Sequence, residues 1–182
     1  MESDVLTATT PEVRMAVSQL SAIVFLIPAL PIAIWVAWSD MRHMKIPNQA
    51  VVALFVTFAV LGLFVLPLET YGWRWVQAIG VLAVGFVMNM IRALGAGDAK
   101  FAAAMAAMIA AGDATVLFML FAAVLLASFA THRLFRAVPA VRNGFSEWKS
   151  WTHPKFPMGL ALSGALILYL VLGAVFGADP RT

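Results

Sequence analysis

The sequence predicts an all-α polytopic membrane protein with about six transmembrane helices. Three observations carry this. Apolar residues make up 63% of the 182 residues and charged ones only 12%, against roughly 25% charged in a soluble domain. Uncharged stretches of near span length recur along the chain. Lysine and arginine gather in alternate connections between them, as the positive-inside rule requires. A soluble core cannot absorb so much apolar side chain in a chain this short. With no cysteine, disulfides, thiolate metal sites and a cysteine nucleophile are excluded.

A helix needs about 20 residues to cross a ~30 Å hydrocarbon core. The uncharged runs 15–39, 46–68 and 156–178 are ample for this, and 75–91 and 114–131 nearly so. The run 101–112, FAAAMAAMIAAG, is short; it spans only if it starts near Leu94 or sits behind other helices. The first run is too long for a cleaved signal peptide and follows an acidic N-terminus, so it should remain in place.

An even number of spans puts both termini on one side. That side then holds Arg14, Arg74 and Arg181 with Glu2, Asp4, Glu12, Glu69, Asp113 and Asp179. The other holds Arg42, Lys45, Arg92, Lys100, Arg133, Arg136, Arg142, Lys149 and Lys155, with only Asp40, Asp98 and Glu147 as acids. Nine cations against three make the second side cytoplasmic, with residues 1–14 an extracytoplasmic tail. The basic pI near 9.7 is thus a topology signal, and nucleic-acid binding is not expected. Residues 40–48 and 132–155 should resist an impermeant thiol reagent in intact cells, and position 113 should react. Trp35, Trp38, Trp73, Trp75, Trp148 and Trp151 lie at span ends or in the last loop, as interfacial anchors do. The basic loop 132–155 carries Leu134, Val138, Val141, Phe145 and Trp148 at helical spacing, interrupted by Pro139 and Gly144; it suits an interfacial segment on an anionic leaflet or, equally, a plain basic loop.

Two of the cytoplasmic acids stand at membrane edges: Asp40 after the first span, in WSDMRHMKIPN, and Asp98 in GAGDAK. Carboxylates at matched depth on one side suit general acid–base hydrolysis. One, ionised, takes a proton from water while the other, protonated, hydrogen-bonds the scissile carbonyl. Gly95 and Gly97 would supply unusual backbone angles and close approach. The dipole of the helix that Asp98 opens points to Asp98 as the base, although coupled carboxylates titrate as a pair. Ala102, Ala106 and Ala110 form a stripe suited to close helix packing. Each acid alone also has a plainer reading, Asp98 as a helix N-cap and Asp40 as a loop charge.

GAGDAK at 95–100 resembles the GxGD element of the type IV prepilin peptidases, polytopic aspartic proteases of the inner membrane. Asp40 preceding Ile46-Pro47-Asn48 is similar to that family's first element, and KFPMGLALSGALI at 155–167, with Pro157 and Gly159, to its last. The three occur in order over nearly the whole chain. The resemblance implies one peptidase domain over 1–182 with Asp40 and Asp98 catalytic, Gly95 and Gly97 shaping the loop, and Lys100 at a position commonly lysine. It implies cleavage of a short basic prepilin leader at the cytoplasmic face. No cofactor is expected, and without an acidic cluster on the basic side no metal is expected either. Larger members carry a cysteine-bearing cytoplasmic domain and methylate the new terminus. This chain has neither cysteine nor such an insertion. It is similar to the short peptidase-only forms of tight-adherence (Flp) pili, where methyltransferase activity is not expected.

The main alternative is a transporter or proton-conducting protein using Asp40 and Asp98 as a relay, with Pro28 and Pro31 breaking the first helix. A non-catalytic pilus-assembly subunit is a further alternative. Ser128 and His132, four residues apart, lack an orienting group for serine chemistry. His43 and His153 lack ligand spacing. GAVFG at 173–177 suits a helix–helix contact, a homodimer included.

Overall fold

The computed structural model describes residues 14–178; all but Arg14 of the expected tail 1–14, and Asp179 and Arg181, lie outside them. The order is β1 (Met15–Ser18), α1 (Gln19–His43), α2 (Asn48–Val65), α3 (Leu68–Met90), α4 (Ala96–Met108), α5 (Ala114–Ala137), α6 (Pro139–Gly144), α7 (Met158–Phe176) and β2 (Gly177–Ala178). Single 3-10 turns lie at Ala111–Asp113 and Lys149–Trp151. The protein is an all-α polytopic membrane protein. Among the described residues, four helical segments are long and apolar enough to cross a membrane: Gln19–His43, Asn48–Val65, Ala111–Ala137 and Met158–Phe176.

The other two expected spans differ in kind. α3 has 23 residues, but Glu69, Arg74, Gln77 and Asn89 dilute its apolar character. It begins seven residues before the uncharged run that marked it, because Pro67 leads a helix that tolerates both charges. α4 has 13 residues, or roughly 20 Å at 1.5 Å per residue, and cannot span alone. It sits behind other helices: every residue from Ala103 to Ala110 is buried. A Cβ on Gly85 of α3 would stand 2.7 Å from the Ala99 Cβ, so small residues bring these two backbones together. Trp75, expected as an interfacial anchor, packs within the bundle, stacked on Phe55 at 5.9 Å and edge-on to Phe58.

α1 packs most extensively on α7 and continues unbroken through Pro28 and Pro31. Its first expected turn, 15–18, is instead strand β1, paired in parallel with β2. Gly173 and Gly177 are used there: a Cβ on Gly173 would meet Val17 Cγ1 at 2.8 Å, and one on Gly177 the Val17 carbonyl oxygen at 2.6 Å. The GAVFG glycines are therefore occupied within the chain rather than presented to a second copy.

Asp113 closes this end. Its Oδ1 accepts from the Ala16 N–H (2.6 Å), and its Oδ2 from the Val17 N–H (3.0 Å) and the Tyr169 hydroxyl (2.8 Å). The Ala110 N–H donates to Tyr169 Oη at 2.9 Å. Asp113 is 3% exposed, so it is not the reactive loop position expected from sequence. Arg74, expected in a loop, is also buried in α3. Asp113→Ala would strand three donors and should lower stability by about 2 kcal/mol. That is read as a drop in the thermal midpoint of the solubilised protein, with a smaller drop for Asp113→Asn. Equal midpoints would overturn the role.

Candidate active site

The opposite end gathers the C-terminus of α1 and the N-termini of α2, α4 and α7. Asp40 lies inside the last turn of α1, not after it, because Trp38-Ser39-Asp40-Met41-Arg42-His43 contains no helix breaker. The helix stops at Met44, in the left-handed region at φ 56°, whose N–H donates to the Asp40 carbonyl at 2.8 Å. Ser39 Oγ donates to the Lys45 carbonyl at 2.9 Å, turning the chain back, and Pro47 caps α2.

The second turn joins α3 to α4. Arg92 is left-handed at φ 60°, and Asn89 Nδ2 donates to the Leu94 carbonyl at 2.9 Å. Met44 and Arg92 are the non-glycine residues at positive φ among the described residues, a conformation of roughly 1–2 kcal/mol per residue. Both line the same cavity. No described glycine has positive φ, so the expected role of Gly95 and Gly97 in unusual backbone angles is corrected. Gly95, at φ −70° and ψ 145°, is the N-cap of α4. A Cβ there would stand 2.5 Å from Asp98 Oδ2, and one on Gly97 3.3 Å from the Ile46 Cβ. The glycines make room for the acid and for the Ile-Pro-Asn turn. Asp98 is in the first turn of α4, three residues after the cap.

The third contribution comes from α7. Pro157 is its N-cap, and the Gly159 N–H donates to Asp40 Oδ2 at 2.6 Å. A Cβ on Gly159 would lie 2.9 Å from that oxygen. Asp40 thus meets the N-terminus of α7 as Asp98 meets that of α4, so the dipole argument that singled out Asp98 as the base applies to both.

Asp40 and Asp98 line one cavity of about 590 Å³ with Lys45, Asn48, Gly95, Gly97 and Lys100. Lys100 Nζ donates to Asn48 Oδ1 at 3.3 Å, joining α4 to α2. Burial pushes the Asp98 carboxyl above its ordinary range; the Gly95 backbone and the Lys155 charge pull the other way. Arg92, His153, Lys155 and Met158 also line the cavity and were not singled out from sequence. The two cations were visible only as members of the basic side, and nothing local marked His153. An apolar furrow of about 280 Å³ continues from Asp98, Leu94 and Met158 along Ala102, Ala106 and Phe121. Among the described residues, no three His, Cys, Asp or Glu side chains gather as a metal site needs.

A family model described as the type IV leader peptidase family matches residues 24–131, more than half of the chain and including both Asp40 and Asp98. No curated protein and no solved structure matches it.

Proposed function

The chain belongs to the type IV leader peptidase family, and from that premise we propose that Asp40 and Asp98 together hydrolyse the peptide bond between a prepilin's leader and its apolar segment. The observation that carries this is the shared cavity, in which two carboxylates from distant parts of the chain face one space. Two such groups in a partly desolvated site hold one proton between them more readily than two negative charges. The ionised member removes a proton from water as the oxygen attacks the scissile carbonyl. The protonated member hydrogen-bonds the carbonyl oxygen, and a proton then passes to the departing amide nitrogen. No covalent intermediate forms. The polar cavity opening into an apolar furrow suits a substrate whose polar leader precedes a membrane segment. Lys100, bonded to Asn48, holds two walls of the site together, and Lys100→Ala should reduce cleavage less than loss of either acid.

The reading is tested by co-expressing the chain with a prepilin and following the leader's loss by mobility and N-terminal sequencing. Full-length prepilin accumulating beside abundant membrane-borne enzyme would refute it.

The cavity faces the cytoplasm of the inner membrane in this proposal, supported by the cations Lys45, Arg92, Lys100 and Lys155 on its rim. A cysteine at Gly144, where nothing lies within 4 Å of a built Cβ, should stay unlabelled by an impermeant reagent in intact cells. A cysteine at the exposed Glu69 should label. The reverse pattern would invert the orientation. Peptidase activity without methyl transfer, and service to a Flp-type pilus, belong to the same proposal; their support is the absence of cysteine from this sequence and of a domain inserted between α1 and α2.

A further inference from the structure

Away from the catalytic cavity, two cavities of opposite polarity meet at Trp148. The first, about 430 Å³, lies between α1, α5 and α7 and is walled by Ala37, Trp38, Phe135 and Trp148. It also contains His132 and Ser163, which are 7% and 1% exposed. His132 Nε2 and Ser163 Oγ have no hydrogen-bond partner among the described residues. The His132 ring is fixed by stacking on Trp151 at 5.1 Å and by Phe156 edge-on at 5.8 Å. The second, about 460 Å³, is lined by Arg136, Arg142, Lys149, Asn143 and Ser146. Its acid, Glu147, is already paired with Arg42 at 2.5 Å. On α5, His132 of the apolar cavity and Arg136 of the basic one are one turn apart, and Trp148 lines both.

We propose that these two neighbouring cavities together form a binding site for one anionic phospholipid. An acyl chain fills the space between α1, α5 and α7, a glycerol-ester oxygen meets Ser163 Oγ and His132 Nε2, and the phosphate lies among Arg136, Arg142 and Lys149. Two observations point to this ligand independently. Buried polar atoms without partners in an apolar pocket are costly, and a group carrying both a hydrocarbon chain and an acceptor oxygen satisfies them. Three cations beside a neutralised acid select a negative head group over a zwitterionic one. The polarity order matches a membrane boundary: apolar toward the spans, basic toward the loop 138–152.

The test uses the purified full chain in detergent, with phosphatidylglycerol or phosphatidylcholine added and retention read by native mass spectrometry. The chain should keep one phosphatidylglycerol in preference to phosphatidylcholine. Arg136→Gln/Arg142→Gln/Lys149→Gln should erode that preference about tenfold. His132→Phe/Ser163→Ala, which preserves ring stacking, should weaken both lipids alike. Equal retention of the two lipids by the unaltered chain, or unchanged retention by both sets of substitutions, would overturn the site. A photoreactive benzophenone side chain at Ile34, which lines the apolar part, should crosslink in cells to a phospholipid. An adduct with a protein instead would assign the pocket to another chain's helix and overturn the proposal. The crosslink is read on a chain with every pocket cation intact, so it decides the matter even where the multiple substitutions fail to fold. None of these readouts depends on catalysis.

Discussion

Asp40→Asn and Asp98→Asn should each abolish prepilin processing, lowering the rate by roughly 10²–10⁴-fold, the scale of a lost general acid or base. Asparagine is close in shape to aspartate, and at position 40 its oxygen still accepts the Gly159 N–H that now reaches Oδ2 at 2.6 Å. The substituted chains should therefore accumulate in the membrane at normal levels. What asparagine cannot do is shuttle a proton. Because both carboxylates serve one proton-transfer cycle, the double substitution should be no slower than the slower single one. Multiplying losses would mean that the acids act separately. Processing that persists in either single variant, with enzyme and substrate both present, would remove that residue from the mechanism.

Charge placement alone assigns Asp40 and Asp98 to one membrane edge, since sidedness depends on counting cations between apolar runs. The helical class and the shortness of α4 were legible from length and composition, while the choice between an early start near Leu94 and a place behind other helices was left open. Helix ends were less legible. Asp40 proved to be inside α1 because helix termination there depends on Met44 entering the left-handed region, which no glycine or proline announces. Asp113 looked like a loop acid in AAGDA, but its partners Ala16 and Val17 lie more than 90 residues away in the chain. Gly95 and Gly97 were marked for unusual backbone angles, and the structure gives them a different part. Their missing side chains clear space for Asp98 and Ile46, while their backbone angles are ordinary.

Gly159→Ala should lower the cleavage rate by roughly 10²-fold, the loss that a displacement near 1 Å causes at a reacting group. Gly159 and Asp40 are 119 positions apart, and the sequence alone marks Gly159 only as part of a Pro/Gly helix start. A methyl group there would stand 2.9 Å from Asp40 Oδ2, 3.0 Å from its Cβ and 3.1 Å from its Cγ. Swinging the carboxylate tip relieves only the first contact. The Cβ is anchored to α1, so either the start of α7 moves away or the carboxyl group turns, and both lengthen the Gly159 bond. Gly159 is the second residue of α7, and the restricted backbone of alanine in the unfolded chain offsets part of the crowding. Membrane abundance should therefore change little while turnover collapses, with Gly144→Ala as the neutral control because its surroundings are open. Full activity with Gly159→Ala would show that the α7 amide does not hold Asp40 during catalysis. Parallel loss of protein and activity would make the glycine a packing residue alone.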